Sequence, residues 1–120
     1  AMAELTLSYR TRTYSTATHG RAIVNARTHH VVADDSGGEA ITAGELFTGG
    51  IGACGVNLIQ RVAKAEDIPA DRVEATVSAY RDPARVQAQV TLFDRVVVHF
   101  EFWEIQEAQA AHLVDMWKRR

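Results

Sequence analysis

The sequence is poor in cysteine and proline: its 120 residues contain one cysteine and two prolines. A single thiol excludes a disulfide within the chain and agrees with a reducing, cytoplasmic setting. No apolar run approaches the roughly 20 residues that span a bilayer, so we expect no membrane partner. The formal charge of −2 gives no electrostatic excess for nucleic-acid binding. The composition therefore indicates one globular domain over residues 1–120.

The five histidines show no spacing typical of a metal site. His29 and His30 are adjacent on a predicted strand, so their side chains point to opposite faces of a sheet. The chain has no His-x-x-x-His or Cys-x-x-Cys pair. We therefore expect neither a metal nor a cofactor. Asp34 and Asp35 begin a loop-like segment, where we expect both carboxylates to be solvated.

The hydrophobic periodicity predicts an α+β fold with antiparallel sheets. In the first predicted strand, Leu5, Leu7 and Tyr9 share one face, which we expect to be buried. The second predicted segment is typical of a hairpin that bends near Asn25. The predicted strands cover residues 4–14, 21–34, 72–80 and 86–103, and the predicted helices run from Thr42 to about Glu66 and over residues 105–120.

The central helix has signals for both of its ends. Thr42 and Glu45 form a capping-box pattern at its start, and Pro69 limits how far it can extend. The apolar stripe predicted for this helix consists of Leu46, Phe47, Ile51, Cys54, Leu58, Ile59, Val62 and Ala63. The stripe predicted for the last helix consists of Ile105, Ala108, Ala111, His112 and Met116.

Residues 49–58, GGIGACGVNL, place four glycines and the only cysteine inside the central helix. Each glycine in a helix interior costs about 0.5–1 kcal/mol relative to alanine, so the four together cost about 2–4 kcal/mol. Two compatible explanations remain. The glycines allow close packing on a sheet or on a second copy of the helix, or they open space beside Cys54.

Cys54 is the one candidate nucleophile of the thiol type. A lone cysteine is more often a small core residue than a nucleophile. Reactivity requires a thiolate, which is favoured by a nearby cation, a helix N-terminus or partial exposure. Cys54 lies about a dozen residues into the helix, too deep for the dipole of that helix to act on it. An activating arginine or histidine would therefore come from elsewhere in the fold.

The segment GGEAITAGELFTGGIGACGVNLIQRVAKAEDIPADRVEATV, residues 37–77, resembles the OsmC/Ohr family, in particular its general OsmC-like branch. The matching features are Gly37-Gly38, Glu45-Leu46, Gly52-Ala53-Cys54, Pro69 and the strand from Val73 to Val77. The resemblance implies an intertwined α+β homodimer with antiparallel sheets and with the long cysteine-bearing helices packed at its centre. It also implies the reduction of organic hydroperoxides, in which a thiolate attacks the distal peroxide oxygen and becomes a sulfenic acid.

The resemblance also implies roles for individual residues. Cys54 takes the position of the attacking thiol, and Glu45 matches the helix-start glutamate. In the family an arginine stabilises the thiolate and a glutamate orients that arginine. The arginine site falls near Thr18, so Arg21 is the first candidate and Arg27 the second. Glu45 also has a simpler role open to it, because a glutamate in a first helical turn is favoured by the helix dipole.

Family members carry a second cysteine after the last helix, and none is present up to Arg120. Either a tail beyond Arg120 contains it, or an external thiol or dithiol resolves the sulfenic acid. The expected function is a thiol-dependent peroxidase. The alternative is a non-catalytic dimeric module of the same fold that binds a small apolar ligand or a partner. A hot-dog thioesterase fits the element order loosely but leaves Gly-Ala-Cys without a role.

Overall fold

The computed structural model describes residues 4–84 and 93–119. The chain divides into two compact units, Ala1–Leu46 and Phe47–Arg120. Its elements are β1 (Arg12–Ser15), β2 (Arg21–Ala26), β3 (His29–Asp34), α1 (Ala43–Ala65), β4 (Val73–Tyr80), β5 (Arg95–Phe102) and α2 (Glu107–Lys118). All strand pairs are antiparallel, which confirms the predicted α+β class. The part of the last predicted strand over residues 86–92 lies outside the described residues.

The N-terminal unit is built on a three-stranded sheet in the order β1-β2-β3. A two-residue turn at Arg27 and Thr28 joins β2 to β3, and Arg27 adopts φ 58°. Positive φ is the conformation that tight hairpin turns need. The bend therefore comes two residues later than predicted, because Asn25 pairs with His30 inside the ladder.

The first predicted strand is wrong over its first half. Strand β1 begins only at Arg12, and Leu5, Leu7 and Tyr9 are 89%, 64% and 92% exposed. Alternation of apolar residues produces a buried face only where a neighbouring strand and a second layer are present. In the described part of this unit, the ladder between β1 and β2 ends at the pair of Arg12 and Asn25.

Helix α1 begins and ends within two residues of the predicted positions. The Thr42 N–H donates to Glu45 Oε1 at 2.8 Å, and the Glu45 N–H donates to Thr42 Oγ1 at 3.1 Å, which completes the capping box. At the other end Asp67 adopts φ 55°, and the Ile68 N–H donates to the Ala63 carbonyl at 2.8 Å. This is the common way to close a helix with a left-handed residue.

The C-terminal unit contains most of α1, the β4-β5 ladder and α2. Val73 lies opposite Phe102, and Tyr80 lies opposite Arg95. The residues that alternate along β4, Val73, Ala75, Val77 and Ala79, are all partly buried. The buried core consists of Ile59, Val62, Ala63, Ala70 and Leu113. Among the described residues, no helix combines the length and apolar character that crossing a bilayer requires.

Gly52 and Gly55 are the points of closest approach between α1 and the rest of this unit. A Cβ on Gly52 would lie 3.4 Å from Val77 Cγ2, and a Cβ on Gly55 would lie 2.9 Å from Phe100 Cζ. The rings of Phe100 and Trp117 pack edge to face, with 5.0 Å between centroids. Close packing on the sheet, the first explanation for the glycines, is therefore confirmed for these two positions.

The predicted stripe of α1 is wrong at two of its first four positions, and the other two are partly buried. Gly52 and Gly55 occupy the buried positions, whereas Phe47 is 60% exposed and Cys54 is exposed. The prediction followed the large apolar side chains, because glycine carries no side chain that marks a buried face. The last three predicted positions of the stripe are buried as expected.

The predicted stripe of α2 is wrong at three of its five positions, and the other two are partly buried against the core. Leu113 is the buried residue of this helix, while Ala108, Ala111 and His112 are exposed. The prediction began at Ile105, which precedes the first helical residue, and so the helical phase was misplaced. The partly buried residues that flank Leu113 at steps of three and four are Gln109, Ala110, Met116 and Trp117.

Replacing Gly55 by alanine should lower the free energy of unfolding by about 1–3 kcal/mol, because the new Cβ would overlap the Phe100 ring. Gly44→Ala is the matched control, since its Cβ would have only Thr42 Oγ1 nearby, at 4.0 Å. The control should be neutral or stabilising by up to about 1 kcal/mol. Urea unfolding followed by circular dichroism measures both changes. Equal free energies for the two variants would contradict the close contact at Gly55.

Candidate functional site

Cys54 is exposed in the middle of α1. A helical side chain leans towards the turn that precedes it, which for Cys54 contains Gly50 and Ile51. Gly50 carries no side chain, and among the described residues nothing outside the backbone of its own helix lies within 4 Å of where a Cβ would be. The approach to the sulfur is therefore open on this side. This arrangement agrees with the second explanation for the glycines, open space beside the thiol.

The face of α1 that carries Cys54 is apolar on the N-terminal side of the cysteine, whereas Asn57 and Arg61 continue it on the other side. Phe47 and Ile51 precede Cys54 on this face at helical spacing. The Phe47 ring lies 6.1 Å from the ring of Phe93, and the guanidinium of Arg81 stands 4.8 Å from the centroid of Phe93. The Arg81 guanidinium thus packs on the aromatic cluster of Phe47 and Phe93 at the N-terminal end of this face. Sequence reasoning missed Arg81, because it lies in a turn that carries no motif.

Arg21, the first candidate for the activating arginine, is held by a carboxylate. Its Nε and Nη2 atoms both lie 3.1 Å from Asp34 Oδ2. The two residues are opposite each other in the pairing of β2 with β3. The Arg21 side chain is 29% exposed, whereas that of Asp34 is fully buried. The guanidinium is therefore fixed from one side and reachable from the other.

Asp34 receives further hydrogen bonds in addition to those from Arg21. The hydroxyl and the N–H of Ser36 donate to Oδ1, and the N–H of Glu39 donates to Oδ2. The hydrogen bonds from Ser36, aided by those of Glu39 and the charge of Arg21, lower the pKa of Asp34 from 3.8 to about 2. The expectation that Asp34 is solvated is therefore wrong: it ends β3 and is 1% exposed.

Gly38 lies against this ion pair and could not be another residue without displacing it. A Cβ at this position would lie 2.5 Å from Asp34 Oδ2 and 2.6 Å from Arg21 Nη2. Such distances are far below van der Waals contact, so one partner would have to move. The paired glycines before the helix thus have a local reason at Gly38, which is to leave room for the buried ion pair.

Glu45 acts as a cap in this structure. The hydrogen bond from the Thr42 N–H, followed by that with the Thr42 side chain, lowers the pKa of Glu45. A carboxylate in the first turn is also favoured by the helix dipole. The capping role considered for Glu45 is therefore present, and the role of orienting an arginine stays a prediction.

The structure places the predicted site residues in both units. Arg21 and Glu45 belong to the N-terminal unit, and Cys54 belongs to the C-terminal unit. Within residues 4–84 and 93–119, no group of three or more His, Cys, Asp or Glu residues is placed to hold a metal ion. His112 is paired instead with Glu66, with 2.9 Å between Nε2 and Oε1.

Together these features define a class: an α+β protein in which a long helix, packed on an antiparallel sheet through glycine, presents an exposed cysteine. Comparison with known families identifies it more closely. The chain belongs to the OsmC family, because the model described as OsmC-like protein matches residues 36–120. A search of curated proteins finds no match. The family predicted from the sequence is therefore confirmed.

Solved structures of this family have the same fold. An OsmC-like protein from Mycoplasma pneumoniae superposes with a TM-score of 0.82 at 12% identity, covering 97% of this chain and 84% of that one. A Legionella pneumophila protein is described as an organic hydroperoxide resistance protein OsmC, a predicted redox protein and regulator of sulfide bond formation. It superposes with a TM-score of 0.65 at 21% identity, covering 95% of this chain and 85% of that one. At these identities the likeness shows the fold.

Asp34 should make the folded state sensitive to acid. Because its pKa is lowered from 3.8 to about 2, its stabilisation is complete above about pH 4 and is lost as the pH falls towards 2. Asp34→Asn should lower the urea midpoint at pH 7, since Arg21 loses its buried partner, and should flatten the stability profile between about pH 4 and 2. Asp35→Asn, at the exposed neighbour, is the matched control. Identical acid profiles for wild type and Asp34→Asn would contradict this role.

Proposed function

We propose that this OsmC-family protein is a thiol-dependent peroxidase that reduces organic hydroperoxides, with Cys54 as the attacking thiol. The observation that supports the proposal most is the exposure of the only cysteine on a helix face that is apolar on its N-terminal side, beside the bare backbone of Gly50. Accessibility favours a reactive thiol over an inert core residue. The apolar face suits a peroxide with a hydrocarbon substituent.

The proposed reaction is a two-electron oxidation of sulfur. The Cys54 thiolate attacks the distal peroxide oxygen, an S–O bond forms and the O–O bond breaks. The leaving alkoxide takes up a proton and becomes the alcohol, while Cys54 becomes a sulfenic acid. The 120 residues contain no second thiol. An external thiol or dithiol, or a cysteine in a tail beyond Arg120, condenses with the sulfenic acid and releases water, and disulfide exchange finally restores the Cys54 thiol.

Arg21 is proposed to stabilise the thiolate, and Glu45 to orient the arginine. The support for Arg21 is that its guanidinium is fixed by Asp34 and still partly exposed. Glu45 is ionised more readily than an ordinary glutamate, because the hydrogen bonds from Thr42 lower its pKa. An ionised carboxylate is the form that can pair with a guanidinium.

We also propose that the protein is a cytoplasmic homodimer. Large apolar side chains remain exposed in the C-terminal unit, among them Phe47 at 60% and Tyr80 at 54%. Gly49 and Gly50 have open space where a Cβ would be in the single chain, which leaves room for the backbone of a second helix. Exposed apolar surface of this kind is typical of a protein interface.

One observation favours the alternative, a non-catalytic module that binds a small apolar ligand. A groove of about 480 Å³ runs between β5 and α2. Phe100, Phe102 and Val114 form its apolar wall, while Glu107 and Lys118 carry opposite charges beside it. Its volume is within the range of small-molecule sites. In this alternative the protein would not reduce peroxide through Cys54. The experiments on Cys54 therefore distinguish the two functions.

Cys54→Ser should abolish the consumption of cumene hydroperoxide in the presence of dithiothreitol, because a hydroxyl cannot cycle through a sulfenic acid. The ferrous-xylenol-orange assay follows the peroxide directly. Light scattering should give the mass of two chains for wild type and variant, which shows that the loss is not a loss of assembly. Equal and slow peroxide consumption by both proteins would contradict the peroxidase and favour the binding module.

Arg21→Gln should slow the alkylation of Cys54 by iodoacetamide at neutral pH, since a nearby cation favours the thiolate. Arg21→Lys keeps the charge but loses the planar fork, so it should have the smaller effect. Arg27→Gln and Arg81→Gln make the same change in charge at the second candidate and at the arginine on the aromatic cluster. A slower rate in only one of these two variants would assign the role to that arginine, and unchanged rates in all variants would contradict activation by these arginines.

A further inference from the structure

The N-terminal sheet carries charge of one sign. Residues 5–33 contain four arginines and no acidic residue, although the whole chain has 15 acidic and 13 basic residues. An asymmetry of this kind within one chain indicates an anionic partner for the basic part. Arg21 is neutralised by Asp34. The positive charge of the other three arginines, Arg10, Arg12 and Arg27, therefore still needs an explanation.

These three arginines line one groove at the end of the sheet where β1 begins and β2 ends. Arg12 pairs with Asn25 in the β1-β2 ladder, so their side chains lie on the same face. Arg10 lies just before β1 and Arg27 in the turn after β2, so both approach the groove from outside the ladder. The residues line a groove of about 350 Å³. Its complete lining is Arg10, Thr11, Arg12, Tyr14, Asn25 and Arg27.

The positive charge of this groove is not neutralised within the part of the chain that the structure describes. No carboxylate lines the groove, and Arg10, Arg12 and Arg27 form no ion pair with any described residue. Arg12 instead stacks its guanidinium 4.7 Å from the ring centre of Tyr14. Stacking on an aromatic ring holds a guanidinium in place and leaves its N–H edges free to donate.

A further donor in the groove wall has no acceptor. The Nδ2 atom of Asn25 is buried and makes no hydrogen bond with the described residues. A buried donor without a partner lowers the stability of the fold. The surrounding guanidinium groups cannot supply the acceptor, since arginine only donates. The groove thus combines guanidinium donors with an amide donor that lacks a partner. A ligand that binds there must therefore supply acceptor oxygens.

We propose that this groove binds a small oxyanion, a compound that presents several phosphate or carboxylate oxygens. Guanidinium groups bind such oxygens through paired, charge-assisted hydrogen bonds. A volume of about 350 Å³ corresponds to a small molecule. Binding would require the arginine side chains to part slightly and expose the Asn25 amide to the ligand. The proposal does not depend on the peroxidase activity and involves neither Cys54 nor Arg21.

Titration of the full chain with pyrophosphate and with citrate, at constant ionic strength, tests this proposal. NMR should show saturable shifts confined to β1, the end of β2 and the turn at Arg27. The tighter of the two probes identifies phosphate or carboxylate as the preferred group. Arg12→Gln and Arg27→Gln should each weaken the binding about tenfold, the loss of one charged hydrogen bond. Arg61→Gln, on the exposed side of α1, is the charge-matched control and should leave it unchanged.

Asn25→Asp provides a second variant in case an arginine variant fails to fold. Its carboxylate would lie opposite Arg12 and occupy the place of the ligand, so binding of both probes should be lost while the urea midpoint is kept or raised. The absence of saturable binding to either probe would overturn the proposal. An equal loss in Arg61→Gln would overturn it too, since that result means non-specific attraction. Binding of a single-stranded oligonucleotide without binding of either probe would replace it with a nucleic-acid surface.

Discussion

The contact between α1 and the rest of the C-terminal unit rests on two glycines. Gly52 and Gly55 allow the helix backbone to approach Val77 and the packed rings of Phe100 and Trp117. Successive helical residues are rotated by about 100°, so turning these two positions inward directs the intervening side chains away from them. The exposure of the thiol on α1 is therefore a consequence of packing. Glycine lowers helix propensity by about 0.5–1 kcal/mol at each position, and burial of the aromatic pair offsets that cost.

The sequence predicted correctly those helices and strands that are marked by local side-chain patterns. The capping pair at Thr42 and Glu45 and the alternation along β4 gave the bounds of α1 and β4 almost residue for residue. Predictions failed where burial depends on distant neighbours. Leu5 and its alternating partners have no strand beside them among the described residues, and the inward face of α2 centres on Leu113, which the predicted stripe did not include. The first two buried positions of α1 are glycines, which have no apolar side chain from which burial could have been predicted.

The candidate site was likewise predicted only in part, because some of its contacts form between residues that are distant in the sequence. The resemblance to the OsmC family identified Cys54, but exposure of its thiol required the structure. Asp34 looked like an ordinary loop carboxylate, because its partner Arg21 meets it only when the hairpin forms. The basic groove was equally hidden, since register across β1 and β2 is what assembles it. It lies before residues 36–120, the part that the family model matches.

The most direct test of the exposed, reactive thiol is the intact mass of the protein after one equivalent of cumene hydroperoxide, with dimedone present to trap a sulfenic acid. The structure predicts a single dimedone adduct located on Cys54, formed within the time that the peroxide is consumed. A protein that keeps its original mass and a fully titratable thiol would contradict the claim that the glycine-packed helix presents a working nucleophile.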